Sequence, residues 1–267
     1  MSVATPPTPS GPSVAPAPIA TNVESLVGEL EERGVVRHDT VRVGRWTARG
    51  TAKVAGEVAV DSADLSGHLV VGAGVRAGSL RVRGTAEVAG AVAVRGALYL
   101  EGSLRAGSTV SAQTARLAGS THAVGAIEVE KNLEIRGDLW APSVRAETLT
   151  IRGGAEVGGT VVAGTLRAEL DRRSSFGSIR ARSVSIRLGS PSPVERLFGG
   201  RATATIGRIE AESVDLERVD VEFVRGTEIR LGRDAHVTAF EGRIARRHPT
   251  SRIGPESRSP PPHGLRR

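Results

Sequence analysis

The stretch VRAETLTI, from Val144 to Ile151, decides the fold because its outline recurs along the chain. It returns as IRARSVSI at residues 179–186 and as IEAESVDL at residues 209–216. The first nine copies follow one another at intervals of about 17 residues, and internal repetition at such a short fixed period indicates a solenoid. Aligned on the first residue of the stretch, the copies begin at Val41, Val58, Val75, Val92, Val110, Ile127, Val144, Val161, Ile179, Ile209, Val224 and Val237.

Each copy contains two short runs in which apolar residues alternate with other residues. Val144 and Ala146 form the first run, and Leu149 and Ile151 form the second. A third run follows about 12 residues after the start of a copy, as at Val157. Alternation with a period of two places these apolar side chains on one face of a strand. One repeat is therefore predicted to be three short strands and three bends, which is one coil of an all-β solenoid with about 17 residues per coil.

The composition agrees with a narrow β-helix. Aromatic residues make up only 3% of the chain, and its 33 glycines supply residues for tight bends. Two copies, those at Val92 and Ile127, place their second apolar pair one residue later than the others. Twelve coils stacked at about 4.8 Å each predict a rod roughly 55–60 Å long. No single coil buries enough surface to fold alone, so stability is shared along the stack.

Four segments are predicted along the chain. Residues 1–20 contain six prolines and no charged side chain, which predicts a disordered arm. Residues 21–34 are predicted to hold a short amphipathic helix, over 22–33, that covers the first coil, because TNVE at 21–24 has capping-box spacing. The rod is predicted over 35–244, with an irregular insertion at 188–206 whose prolines and paired glycines do not suit a central strand. Residues 245–267 are predicted to be a disordered basic tail.

The net charge of +7 comes almost entirely from the C-terminal end. Residues 242–267 hold seven arginines and one glutamate, which gives +6. These arginines could contact phosphate or an acidic membrane surface, or could simply keep the tail solvated. Nucleic acid is not favoured as a ligand, because the rod shows no aromatic stacking platform in sequence. The arginines of this predicted electrostatic tail are Arg243, Arg246, Arg247, Arg252, Arg258, Arg266 and Arg267.

The sequence contains no recognisable reaction centre. Its six histidines lack metal-ligand spacing, and neither Lys53 nor Lys131 stands in a phosphate-binding loop motif. We therefore expect no enzymatic activity, no catalytic residue, no metal and no cofactor. The absence of cysteine, of a secretion signal and of a long apolar stretch favours a cytoplasmic location, with attachment to a membrane surface left open.

A hexapeptide-repeat acyltransferase is the enzymatic alternative, because these enzymes are also β-helical. Residues 92–109 do repeat in sixes, as VAVRGA, LYLEGS and LRAGST. Elsewhere this period breaks, since the spacing of Val41, Val58 and Val75 is not a multiple of six. No histidine stands in a setting typical of the catalytic residue of those enzymes.

The repeat pattern resembles that of the bactofilins, which are also called polymer-forming cytoskeletal proteins. The resemblance rests on GALYLEGSL at 96–104, IRGDL at 135–139 and VGGTV at 157–161, and it covers residues 41–244. It implies a single-stranded right-handed parallel β-helix. It also implies assembly into nucleotide-independent filaments that act as bacterial scaffolds, with the chain itself as the main partner and with client proteins or a membrane surface as others.

The ends of a β-helix favour the same function on physical grounds, because unpaired strand edges pair readily with another chain. Repeated joining of such ends gives an open filament. The alternative is that the predicted helix and tail cap both ends, which would leave a monomeric binding rod with a basic tail. The candidate polymerisation contacts are Val41, Val43 and Trp46 at the start and Val237, Phe240 and Ile244 at the finish.

Overall fold

The structure is a computed structural model that describes residues 28–189 and 203–255. All regular elements of this part of the chain are β-strands, which confirms the all-β prediction. Their bounds are β1 Glu29–His38, β2 Val41–Val54, β3 Val58–Val71, β4 Val75–Val88, β5 Val92–Ala106, β6 Val110–Ala123, β7 Ile127–Val129, β8 Asn132–Ala141, β9 Val144–Leu170, β10 Ser174–Leu188, β11 Ala204–Glu217, β12 Asp220–Leu231, β13 His236–Arg247 and β14 Arg252–Ile253.

Parallel pairing between successive coils winds these strands into one β-solenoid. The order of pairing follows the chain from β1 to β7 and from β9 to β14, while β8 lies beside β6 and β9. A typical register pairs Val58 with Val75, which are the first residues of two successive copies of the repeat. One copy of the sequence repeat is thus one turn of the solenoid.

Glycine allows the long strands to bend sharply while they stay paired. Gly67 has a φ of 123°, a backbone conformation that side chains with a Cβ rarely adopt. A Cβ on Gly67 would also overlap the backbone carbonyl of Gly50 in the preceding coil. Both constraints explain why glycine recurs at this bend in successive coils.

Stacked aliphatic side chains fill the interior. The first residues of successive copies pair from coil to coil and lie one above another, and we call such a series of paired positions a column. None of the residues that begin a copy, from Val41 to Val224, is more than 2% exposed. The copies at Val92 and Ile127 shift as their sequence predicts. Next to Val92 the register slips between Val94 and Ala97, and after Ile127 the strand breaks between β7 and β8. Each irregularity absorbs one extra residue without moving the apolar pair out of the core.

The helix predicted over residues 22–33 is wrong over its C-terminal half. Residues 29–33 lie in β1, which extends to His38 and pairs in parallel with β2. The rest of that prediction, like the arm at 1–20, lies outside the described residues. The first strand of the rod therefore includes Glu29 and precedes the predicted boundary at 35, because pairing with an existing coil outweighs a local capping signal.

The C-terminal boundary of the rod also differs from the prediction. Val237 lies beside Val221, and Phe240 is the residue that continues the column of Val224. β13 extends to Arg247, and β14 adds a further pairing at Arg252–Ile253. The part of the predicted disordered tail at 245–255 therefore contains strand, while 256–267 lie outside the described residues.

The predicted insertion leaves the ladder of strands intact. β10 ends at Leu188 and β11 begins at Ala204, so both ends of the predicted 188–206 interruption are strand. Across it, Ile179 pairs with Ile209 in a continuous parallel register. The ladder of paired strands thus stops at Leu188 and resumes at Ala204, and residues 190–202 lie outside the described part.

Candidate functional site

The N-terminal end of the rod is formed by β1. Within the described residues β1 pairs only with β2, so its second edge is open. The inward positions of β1 are half-buried and hold Leu30, Glu32, Val36 and His38. Val35, on the outer surface, is 71% exposed. This end thus combines an open backbone edge with a mixture of apolar and polar side chains.

A polar cluster closes the apolar column at this end. The Glu32 carboxylate lies 2.7 Å from His38 Nε2 through one oxygen, and its other oxygen accepts a hydrogen bond of 3.0 Å from Trp46 Nε1. Trp46 is fully buried beneath β1. Burying a carboxylate without partners is costly, so these two contacts make the inward position of Glu32 tolerable.

The C-terminal end is formed by β13 and by the short β14. Ile253 of β14 lies beside Val237, which is fully buried. Phe240 and Ile244 are half-buried and pair only with the preceding coil in the described chain. Arg247 occupies the column of Leu231, and its guanidinium donates to the backbone oxygen of Ser251 at 3.2 Å.

The six candidate polymerisation contacts fall into two groups. Val41, Trp46 and Val237 are buried within the column and do not form the end surfaces. The others, Val43, Phe240 and Ile244, are half-buried. The residues of β1 form the N-terminal end surface instead, and they were not predicted as contacts because the capping-box spacing suggested a helix over 22–33.

The two ends differ in charge. β1 has three glutamates and two arginines, for a net charge of −1, whereas β13 has three arginines and one glutamate, for +2. Four arginines of the predicted tail are therefore parts of the rod: Arg243, Arg246 and Arg247 in β13 and Arg252 in β14. The other three, Arg258, Arg266 and Arg267, lie outside the described residues.

The side wall carries one exposed aromatic pair. The rings of His122 and Trp140 lie with their centroids 4.1 Å apart, and Trp140 is 38% exposed. They border a shallow cleft of about 250 Å³ that also contacts Asp138, Glu156 and Arg173. This pair was not predicted from the sequence. The outward direction of Trp140 does follow from alternation, because Trp140 stands between the two inward residues Leu139 and Ala141.

The described part of the chain offers little else for chemistry. It contains no group of three or more histidine, aspartate or glutamate side chains arranged to hold a metal ion. A charged cleft of about 490 Å³ lies near the C-terminal end, and its two carboxylates, those of Asp215 and Glu217, both lie within 4.0 Å of the Arg187 guanidinium. None of the described residues forms a helix long and apolar enough to cross a membrane.

No protein-family model, curated protein or solved structure matches this chain. The fold itself defines the class: a single-chain parallel β-solenoid in which one sequence repeat forms one coil. Within the described residues, the two end strands of the solenoid differ in the sign of their net charge, which is negative in β1 and positive in β13.

Proposed function

We propose that this chain is a non-enzymatic structural protein that assembles end to end into filaments without a nucleotide. The observation that carries the proposal is the open strand edge at each end of the described rod, in β1 and in the part of β13 after Val237, which β14 does not cover. A parallel strand edge presents a row of backbone donors and acceptors that a further coil can satisfy. The resemblance to bactofilins, which implies nucleotide-independent polymers, supports the same proposal.

The end surfaces are suited to contact because they are partly apolar. Leu30 and Val36 at one end and Phe240 at the other are half-buried and pack against the core. Ile244 is also half-buried and pairs with the buried Ile229. A further coil stacked on either end would remove them from water, as the next coil does for the equivalent residues along the rod. Contact between two different ends of identical chains propagates without closing, which produces a filament.

Sedimentation tests the proposal directly. The purified full-length chain, free of nucleotide, is expected to pellet as polymer above a critical concentration, and added ATP or GTP is expected to leave that concentration unchanged. Protein that remains monomeric at high concentration and moderate salt would contradict the proposal. A polymer that forms only with nucleotide would contradict its second part.

A monomeric binding rod is the second candidate function, and the His122–Trp140 pair favours it. The chain has two tryptophans. Trp46 is fully buried, whereas Trp140 is 38% exposed on the wall of the rod. Aromatic surfaces with a polar rim are common at recognition sites. This function predicts a monomer in solution whose binding to a partner is lost in Trp140→Ala, whereas end-to-end assembly is expected to be unaffected by that substitution.

A further inference from the structure

The pairing between successive coils can be followed residue by residue from β1 to β13, so positions at the two ends of the rod can be matched. Glu32 pairs with Ala48, and the same column continues through Leu65 and later coils to Leu231. It ends at Arg247, which pairs with Leu231. β9 spans parts of two successive coils, and these pair with each other, as the hydrogen bond from Asp171 N to Gly153 O shows. The column that starts at an inward glutamate therefore ends at an arginine.

The neighbouring columns show the same complementarity. Glu31 begins the column that ends at Arg246, and Glu29 begins the column that ends at Arg243. Between them, Leu30 begins the column that ends at Ile244. All three glutamates of β1 thus share columns with the three arginines of β13, and the intervening apolar position is apolar at both ends. One column opposes this pattern, because Arg37 shares its column with Arg252.

We propose that the filament is polar, with β13 of one chain stacked in parallel register on β1 of the next. This inference rests on the proposed end-to-end assembly and adds the pairing of Glu29, Glu31 and Glu32 with Arg243, Arg246 and Arg247 of the adjacent chain. The arrangement continues the parallel pairing found at every coil of the described rod. Contacts between identical ends would require antiparallel pairing and would bring together two surfaces with the same sign of net charge.

Ion pairs between adjacent coils already occur at both ends, so the proposed contact repeats a pattern of the rod. Arg45 lies 3.4 Å from Glu29 in the first two coils. Arg225 lies 3.2 Å from Glu241 in the last two. Outward arginines and carboxylates one coil apart are thus within reach of each other across a parallel register. Charge matching at such distances selects the partner and its orientation.

Two charge-reversal variants test the polarity. The first is Glu29→Arg with Glu31→Arg, and the second is Arg243→Glu with Arg246→Glu; all four residues are exposed. In a polar filament each variant alone brings like charges together at every contact. We expect each to raise the critical concentration about tenfold or more. The matched control is Arg145→Glu with Arg167→Glu on the side wall, where both residues are exposed and assembly should be unchanged.

Mixing the two variants provides the decisive step. In an equimolar mixture the charge-reversed end of each variant meets an end of opposite charge on the other variant. Filaments in which the two variants alternate should therefore form near the wild-type critical concentration. This rescue also shows that both variants are folded. Retained assembly of each variant alone, at the wild-type concentration, would overturn the polar arrangement while leaving end-to-end assembly in place. A wild-type chain that never assembles would overturn both proposals.

Discussion

A carboxylate at an inward position of a β-solenoid persists only where hydrogen bonds replace water. Glu32 meets this condition through His38 and through the indole of Trp46, and it lies in the terminal coil, where the column is half open. The sequence could not reveal this role, since a glutamate in a stretch of acidic residues is typical of a solvated surface. The inward direction of Glu32 follows only from the pairing of β1 with β2.

Glu32→Ala is expected to lower the free energy of unfolding by about 1–3 kcal/mol, because it leaves the buried indole N–H of Trp46 without its acceptor. Urea unfolding measures the change. Glu31→Ala is the matched control, since Glu31 is exposed on the same strand, and it should change stability by less than about 0.5 kcal/mol. Equal effects of the two substitutions would show that the cluster does not stabilise the end coil.

Gly67→Ala is expected to destabilise the rod by about 1–3 kcal/mol, since the new Cβ needs an unfavourable φ and meets the carbonyl of Gly50. Thermal unfolding followed by circular dichroism is a suitable measurement. Gly158→Ala provides the comparison, because no atom lies within 4 Å of a Cβ built there and the backbone is not left-handed. If both variants melt together with the wild type, the bend does not require glycine.

At the scale of the strand, most of the fold could be predicted because inward positions repeat in register. The repeat period, the inward residues and even the shifts after Val92 and Ile127 follow from alternation. Prediction failed at the ends, where the alternation is weaker. In β1 the inward positions include Glu32 and His38. Near the C-terminus the coil that starts at Val224 is longer than the sequence assignment implied, so Phe240 continues its column instead of Val237. End coils lack a second neighbour, so their composition is less constrained.

Removal of residues 190–202 is expected to leave the rod folded with nearly unchanged stability. Ile179 and Ile209 are paired although this segment lies between them, and its removal restores the sequence spacing that separates Val58 from Val75. Shortening a loop also lowers the entropy cost of closing it. Unfolding of the deletion variant by urea would test this, and a loss of more than about 2 kcal/mol would show that the insertion packs on the rod.

Phe240→Arg is expected to solubilise the polymer, because it places a charge in a core column at the open C-terminal end. The pelleted fraction at a fixed protein concentration measures the effect. Tyr99→Arg serves as the control, since Tyr99 is 43% exposed on the wall and far in sequence from either end. Assembly of Phe240→Arg at the wild-type concentration would exclude this residue from the contact.

At the scale of the whole molecule, the walls and the ends of the rod have different properties. The walls carry ion pairs between neighbouring coils, such as Arg105 with Glu87 and Arg180 with Glu210. At the N-terminal end Glu29 and Glu31 also have local partners, in Arg45 and Arg33, but they lie at the opposite end of the chain from the arginines of β13. The charge separation was not predicted from sequence, because Arg246, Arg247 and Arg252 were assigned to a disordered tail.

Electron microscopy of negatively stained, nucleotide-free protein tests the central claim most directly. End-to-end assembly predicts unbranched filaments one rod wide, with an axial repeat of roughly 60 Å set by coils stacked about 4.8 Å apart. A repeat of about twice that length would indicate alternating orientations and would contradict the polar arrangement. Isolated rods at concentrations well above those used for sedimentation would contradict end-to-end assembly itself.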